Sequence, residues 1–90
     1  MKEQIIHKMD RKNRIEAICT ILNLSAKGVK KSHLKYKARL NHLKLDDYLD
    51  VLVSLRLLDK KVDYYKTTRR GLEFTRRYRE IQALMREISI

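Results

Sequence analysis

Three aspartates within five positions (Asp46, Asp47 and Asp50), three histidines (His7, His33 and His42) and one cysteine (Cys19) are the residues of this 90-residue chain with types suited to chemistry. Clustered carboxylates can hold calcium. A calcium loop also needs a glycine at its sharp turn and a distant glutamate, and here helical periodicity accounts for the cluster instead. The histidines are far apart and lack carboxylate or cysteine neighbours at ligand spacing. Cys19 has no second cysteine to pair with, and its spacing with Ile15 and Leu22 marks it as a small core residue. Glycine occurs only at 28 and 71, so no glycine-rich phosphate loop can form. No catalytic constellation emerges. The expectation is a protein that is not an enzyme, with no cofactor, no metal and no evident small-molecule substrate.

What remains is charge. Lys and Arg number 22 against 11 Asp and Glu, a formal net charge of +11. The surplus is uneven: residues 1–30 sum to +4, 31–45 to +5, 46–59 to −3 and 60–90 to +5. Two basic blocks flank an acidic island. A surplus of this size suits a polyanion, because each cation that neutralises a phosphate releases counterions; the competing reading is general solubility charge. Lys30, Lys31, His33, Lys35, Lys37 and Arg39 form the densest cationic run, followed by Lys60 with Lys61 and by Arg69 with Arg70. Tyr64 and Tyr65 could stack on a nucleotide, although strand spacing assigns Tyr65 to the core.

The elements that must position these groups follow from periodicity. Between Asn13 and Leu24, Ile15, Ile18, Cys19 and Leu22 fall on one helix face, and Gly28 is placed to take a left-handed cap after it. Whether residues 1–12 extend that helix is open. Ser32 is a suitable N-cap for a short second helix with Leu34 and Ala38 inward. Asn41 can cap a third, from His42 to about Arg56, with Leu45, Tyr48, Leu49 and Leu52 inward and Val53 or Leu55 beside them. "LLDKKVDYYKTT" then reads as a hairpin with Asp59-Lys60-Lys61 at its tip. Thr68 can cap a last helix in which Phe74, Tyr78, Ile81, Met85 and Ile88 alternate four and three residues apart, the seam of a coiled coil. Glu73 and Arg77 are a favourable pair on its flank. No stretch approaches the ~20 apolar residues of a membrane span, and residues 1–10 hold no apolar run of signal-peptide length. The expected home is the cytoplasm, in association with the nucleoid.

"KSHLKYKARLNHLKLDDYLDVLVSLRLL" followed by "YYKTTRRGLEF" resembles a family of small archaeal winged-helix DNA-binding proteins. Ser32, Tyr36, Leu40, Asn41, Leu45, Tyr48, Leu49, Leu52, Leu57, Leu58, Tyr65, Thr68 and Gly71 carry the likeness, which covers roughly residues 12 to 90. The resemblance implies a second helix, a recognition helix and a wing, then a long helix that pairs with a second copy as an antiparallel coiled coil. Three departures stand out. Arg56 occupies the place of a glycine that usually closes the third helix, where a left-handed conformation would cost on the order of 1 kcal/mol. Thr67 stands where a large aliphatic residue is usual. Only 19 residues follow Gly71, short for a self-sufficient coiled coil.

The fold expected is mostly α with a small β-hairpin: a winged helix–turn–helix over residues 1–68 and a coiled-coil dimerisation helix over 69–90. The function expected is binding of double-stranded DNA by a homodimer, as a transcriptional regulator or a nucleoid-associated protein. Candidate contacts are Lys31, Ser32, His33, Lys37, Arg39, Asn41, His42, Lys44, Asp47, Lys60, Lys61, Arg69 and Arg70. The acidic third helix leaves three readings open. An aspartate could accept from a cytosine amino group, the aspartates could pair with nearby cations, or the helix could avoid DNA altogether. The alternative function is a protein–protein interaction module that does not use its recognition helix on DNA. RNA is a further possibility, without an evident stacking platform.

Overall fold

A computed structural model describes residues 11–88, so most of the expected extension over residues 1–12 lies outside the described residues. The elements are α1 (Arg11–Leu24), α2 (Lys31–Ala38), α3 (His42–Ser54), β1 (Leu58–Lys60), β2 (Tyr65–Thr67) and α4 (Arg69–Ile88). This is the expected order of three helices, a hairpin and a long helix.

Ile21, Leu22, Leu34, Leu45, Leu49, Leu52 and Leu58 are almost fully buried and meet in one core, joined by Tyr48, Leu57 and Tyr65. Each such aliphatic side chain contributes about 1.5–3 kcal/mol by leaving water. The end of α1 is held by polar groups. The Ser25 hydroxyl donates to the Ile21 carbonyl at 2.7 Å, and the Gly28 N–H donates to Ser25 O at 3.0 Å with Gly28 at φ 95.

The expected cap of α2 is displaced. Lys30, extended at φ −76 and ψ 147, is the N-cap without a side-chain bond, and Ser32 lies inside the helix. The cause is long-range: Val29 bridges Tyr65 through two backbone bonds of 2.8 Å, so the helix starts where that pairing lets go. Asn41 caps α3 as expected, its Oδ1 accepting from Lys44 N–H at 2.9 Å. At the other end Leu57 N–H donates to Leu52 O at 2.9 Å and Arg56 N–H to Val53 O at 3.0 Å, a Schellman closure. Arg56 takes the left-handed position at φ 61. Of the two uncertain inward residues, Val53 packs against the core and Leu55 is exposed.

The hairpin pairs Leu58 with Thr67, Asp59 with Lys66 and Lys60 with Tyr65. Lys61 N–H donates to Tyr64 O at 2.8 Å, which puts Val62 and Asp63 at the tip rather than Asp59-Lys60-Lys61. The register decides this, because Leu58, Tyr65 and Thr67 must all face inward. Thr67 fills an aliphatic place by bonding: its hydroxyl donates to Leu22 O at 2.5 Å and its N–H to Ser25 O at 3.0 Å.

Thr68 begins α4 as a two-way cap. Its Oγ1 accepts from Gly71 N–H at 3.0 Å and donates to Arg56 O at 2.7 Å, tying α4 to the strained corner after α3. Gly71 is required by close approach, since a Cβ there would sit 2.2 Å from the Leu57 carbonyl oxygen. One turn on, Thr75 is buried and bonds back to Leu72 O.

Candidate nucleic-acid interface

A helix–turn–helix needs a short, rigid corner. Here Arg39 ends α2 in the left-handed region at φ 56, Leu40 packs partly on the core and Asn41 starts α3. A left-handed arginine costs about 1 kcal/mol or more; the Arg39 side chain at this corner is exposed.

The two helices are also joined by charge. Lys31 Nζ lies 2.5 Å from Asp46 Oδ1. The hydrogen bond to Asp46 holds the Lys31 ammonium above the ordinary lysine range, and Asp50 adds to the effect. Of the basic groups before and on α2, Lys31 is therefore turned toward α3. Ser32, His33, Lys37 and Arg39 are exposed. On α3, Asn41 is exposed at the cap and Lys44 is half-buried one turn in. His42 opens the helix, and its side chain is outside the described residues. Beyond the first turn the outer face is acidic and apolar: Asp50 is exposed, Asp47 half-buried and Val51 50% exposed, and Leu43 in the first turn is also 50% exposed.

Concave basic surface lies elsewhere. A groove of about 530 Å³ opens between the α1–α2 loop, the outer face of α2 and the start of β2. Lys27, Lys30, His33, Lys37 and Lys66 line it. Tyr64 forms part of its wall, with a ring that a Cβ at Gly28 would approach to 3.3 Å. The Tyr64 ring therefore lies close to the Gly28 backbone, where an added methyl would crowd it, and it remains 37% exposed. His33 and Lys37 thus line the same groove as the wing residues Tyr64 and Lys66. Lys60 and Lys61 are exposed on the last part of β1 and the turn, outside the lining of this groove, and Arg69 and Arg70 are exposed at the start of α4.

Three groove lysines, Lys27, Lys30 and Lys66, were not among the candidate contacts, although Lys30 stood in the cationic run. Lys66 had a usable signal: it alternates with the inward-facing Tyr65 and Thr67, so strand period alone turns it outward. Lys27 had none, because its loop is brought to the wing by long-range pairing, the bridge between Val29 and Tyr65 together with the Thr67 bond to Ser25 O.

Along α4 the expected seam divides. Phe74 packs against the protomer's own core and Tyr78 is half-buried. Ile81, Met85 and Ile88 are 55%, 59% and 63% exposed, and Leu84 beside them, which the sequence reading omitted, is 56% exposed. The Glu73–Arg77 pair forms as expected, with both Nε and Nη2 of Arg77 on Glu73 Oε1 at 3.1 and 2.9 Å. That bond, with the neighbouring Arg76, holds the Glu73 carboxyl below its usual range.

Among the described residues no group of three or more His, Cys, Asp and Glu could hold a metal ion, and no helix is long and apolar enough to cross a membrane. A family model described as winged helix–turn–helix matches residues 11–86. No curated protein sequence matches the chain.

Proposed function

Because this chain belongs to the winged helix–turn–helix family, we propose that it binds duplex DNA as a homodimer, as a transcriptional regulator or an architectural protein of the nucleoid in the cytoplasm. One observation carries the reading. Residues 42–54, the helix α3, sum to −2, while the rest of the chain carries +13. The attraction for phosphate therefore comes from the elements that flank α3. Ser32, His33, Lys37 and Arg39 supply it from α2 and its end, Lys60 and Lys61 from the wing, and Arg69 with Arg70 from the start of α4. Asn41, His42 and Lys44 present the first turn of α3 to the base edges, with Asp47 one turn behind. Lys31 acts indirectly, by fixing α2 against α3 through Asp46.

The second copy docks on the far half of α4. Ile81, Leu84, Met85 and Ile88 leave an apolar strip in water, and a second such strip covers it without exposing new polar groups. The resemblance to small archaeal winged-helix proteins supports the same pairing. Two wings and two α3 helices would then stand at a fixed separation on the duplex.

The test is an electrophoretic shift with mixed-sequence duplex DNA at two salt concentrations. The expected result is retardation at low salt that weakens steeply at high salt. The second reading, a protein–protein interaction module, is favoured by Leu43 and Val51 standing exposed beside Asp50 on α3. Absence of retardation at low salt would select it.

A further inference from the structure

We infer that the groove between the α1–α2 loop, α2 and the wing grips one sugar–phosphate strand of the duplex, so that DNA is held from the side of α2 rather than by the body of α3. The inference rests on the proposed duplex binding and specifies where the phosphates lie.

Three independent features meet in this groove. The first is shape: it is a concavity of about 530 Å³ with no α3 residue in its lining, in a domain whose α3 is acidic. The second is charge. Lys30, His33 and Lys37 fall at i, i+3 and i+7 on one face of α2 and its cap, and Lys27 and Lys66 close the groove from two other elements. Cations from three separate segments at one place differ from a solvated helix face, where they would repel one another without a shared partner. The third is Tyr64, whose ring rests on Gly28 and is part of the wall. A tyrosine there can pack its ring on a deoxyribose and donate its hydroxyl to a phosphate oxygen, a common positioning contact.

Two carboxylates oppose the grip. Asp63 is part of the groove wall, and Asp59 is the cross-strand neighbour of Lys66. Against four lysines they leave the site positive, and they favour a strand that runs along α2 over one that crosses the wing tip.

The contacts are sequence-independent, so the experiment measures affinity and its salt dependence on mixed duplexes, using the whole chain. The double variant Lys37→Ala/Lys66→Ala changes two exposed side chains and spares the core. Each phosphate contact contributes about 0.9 to the slope of log K against log salt. The double variant should lose nearly 2 from that slope, and roughly fiftyfold in affinity at 0.1 M salt. Lys37→Arg/Lys66→Arg should restore both. Tyr64→Phe should weaken binding severalfold with the slope unchanged, because it removes a neutral donor and no charge. Amide shifts on adding a short duplex should be largest at Gly28, Tyr64 and Lys66.

If the wild type binds duplex and the double variant matches it in affinity and slope, the groove is not the grip, while the family reading stands. Amide shifts confined to α3 would overturn the groove in the same way. A wild type that does not bind duplex at low salt would overturn the groove and the proposed function together.

Discussion

Replacing Gly71 with alanine pits two effects of opposite sign against each other. On helix propensity alone the change is favourable, by about 0.8–1.0 kcal/mol for an interior position. The surroundings reverse it. The new methyl would lie 2.2 Å from the Leu57 carbonyl oxygen and 2.6 Å from Thr67 Cγ2. The first of these is backbone that cannot rotate aside, and Thr68 N–H donates to the same oxygen at 3.1 Å. Relief requires α4 to move away from the corner where α3 enters β1, which loosens the two hydrogen bonds that the Thr68 hydroxyl makes with Arg56 O and Gly71 N–H. Overpacking of this kind costs about 1–3 kcal/mol, and a backbone clash belongs at the upper end or beyond. Net destabilisation should be about 2 kcal/mol. In a domain of this size each kcal/mol moves Tm by roughly 4–8 °C, so the midpoint should fall by about 8–16 °C. Calorimetry or circular dichroism at fixed protomer concentration measures it, since pairing would make Tm concentration-dependent. A Tm that holds steady or rises would refute the reasoning, because propensity would then have won and α4 could not pack on the Leu57 carbonyl as described.

Arg56→Gly relieves a left-handed arginine at φ 61 and gives back part of the gain through the unfolded chain; the unfolding free energy from urea titration should rise by less than about 1 kcal/mol, and a fall would show that the arginine side chain matters more than its backbone. Ile81→Asp puts a charge in the centre of the apolar strip, so light scattering at micromolar concentration should report a monomer; a persisting dimer would move the interface away from α4. Lys60→Ala/Lys61→Ala should weaken binding to all duplexes and flatten the salt slope, and an unchanged slope would remove the wing from the phosphate contacts. Lys31→Met should cost under about 1 kcal/mol at neutral pH, as for a partly exposed ion pair. Because the folded ammonium is held above its ordinary pKa of about 10.4, the pair's contribution is present in full below that value and is lost as pH climbs through the raised pKa. The stability gap between variant and wild type should therefore narrow in strong alkali, and a gap independent of pH would mean packing rather than the pair.

The helices and the hairpin could be read from the chain because their signals are local. The inward Leu45, Tyr48, Leu49 and Leu52 share one helix face, and Asn41 and Thr68 cap through their own side chains. The left-handed Arg56 was legible from the absence of a glycine where one is usual. What escaped depends on partners distant in sequence. The start of α2 is set by Val29 pairing with Tyr65, so a suitable serine one residue inside the helix went unused. The wing tip is set by register, which no Gly or Asn announced. For the same reason Lys27 and Lys66 were invisible as partners until the bridge placed them in one groove. Phe74 matched the period of the coiled-coil seam, yet it packs against the chain's own core, and only the later residues of α4 leave an apolar strip free.

The aspartates of α3 follow from the same geometry. A helix turns about 100° per residue, so from the inward Leu45 the next residue points sideways, and Asp46 meets Lys31 on α2. For Asp46 the cation-pairing reading holds, and the partner is on the same protomer. Asp50, one turn on, lies close enough to raise the Lys31 pKa further. Asp46 therefore has an internal task, since its ion pair with Lys31 joins α2 to α3. That task constrains the way DNA can approach. Carboxylates along the second and third turns of α3 repel phosphates over that length, and the cations lie on α2 and the wing. In the proposed complex the duplex meets α3 at Asn41, His42 and Lys44, with Asp47 at the edge of that contact, and is held beside the helix, so direct base readout by α3 is confined to its N-terminal end.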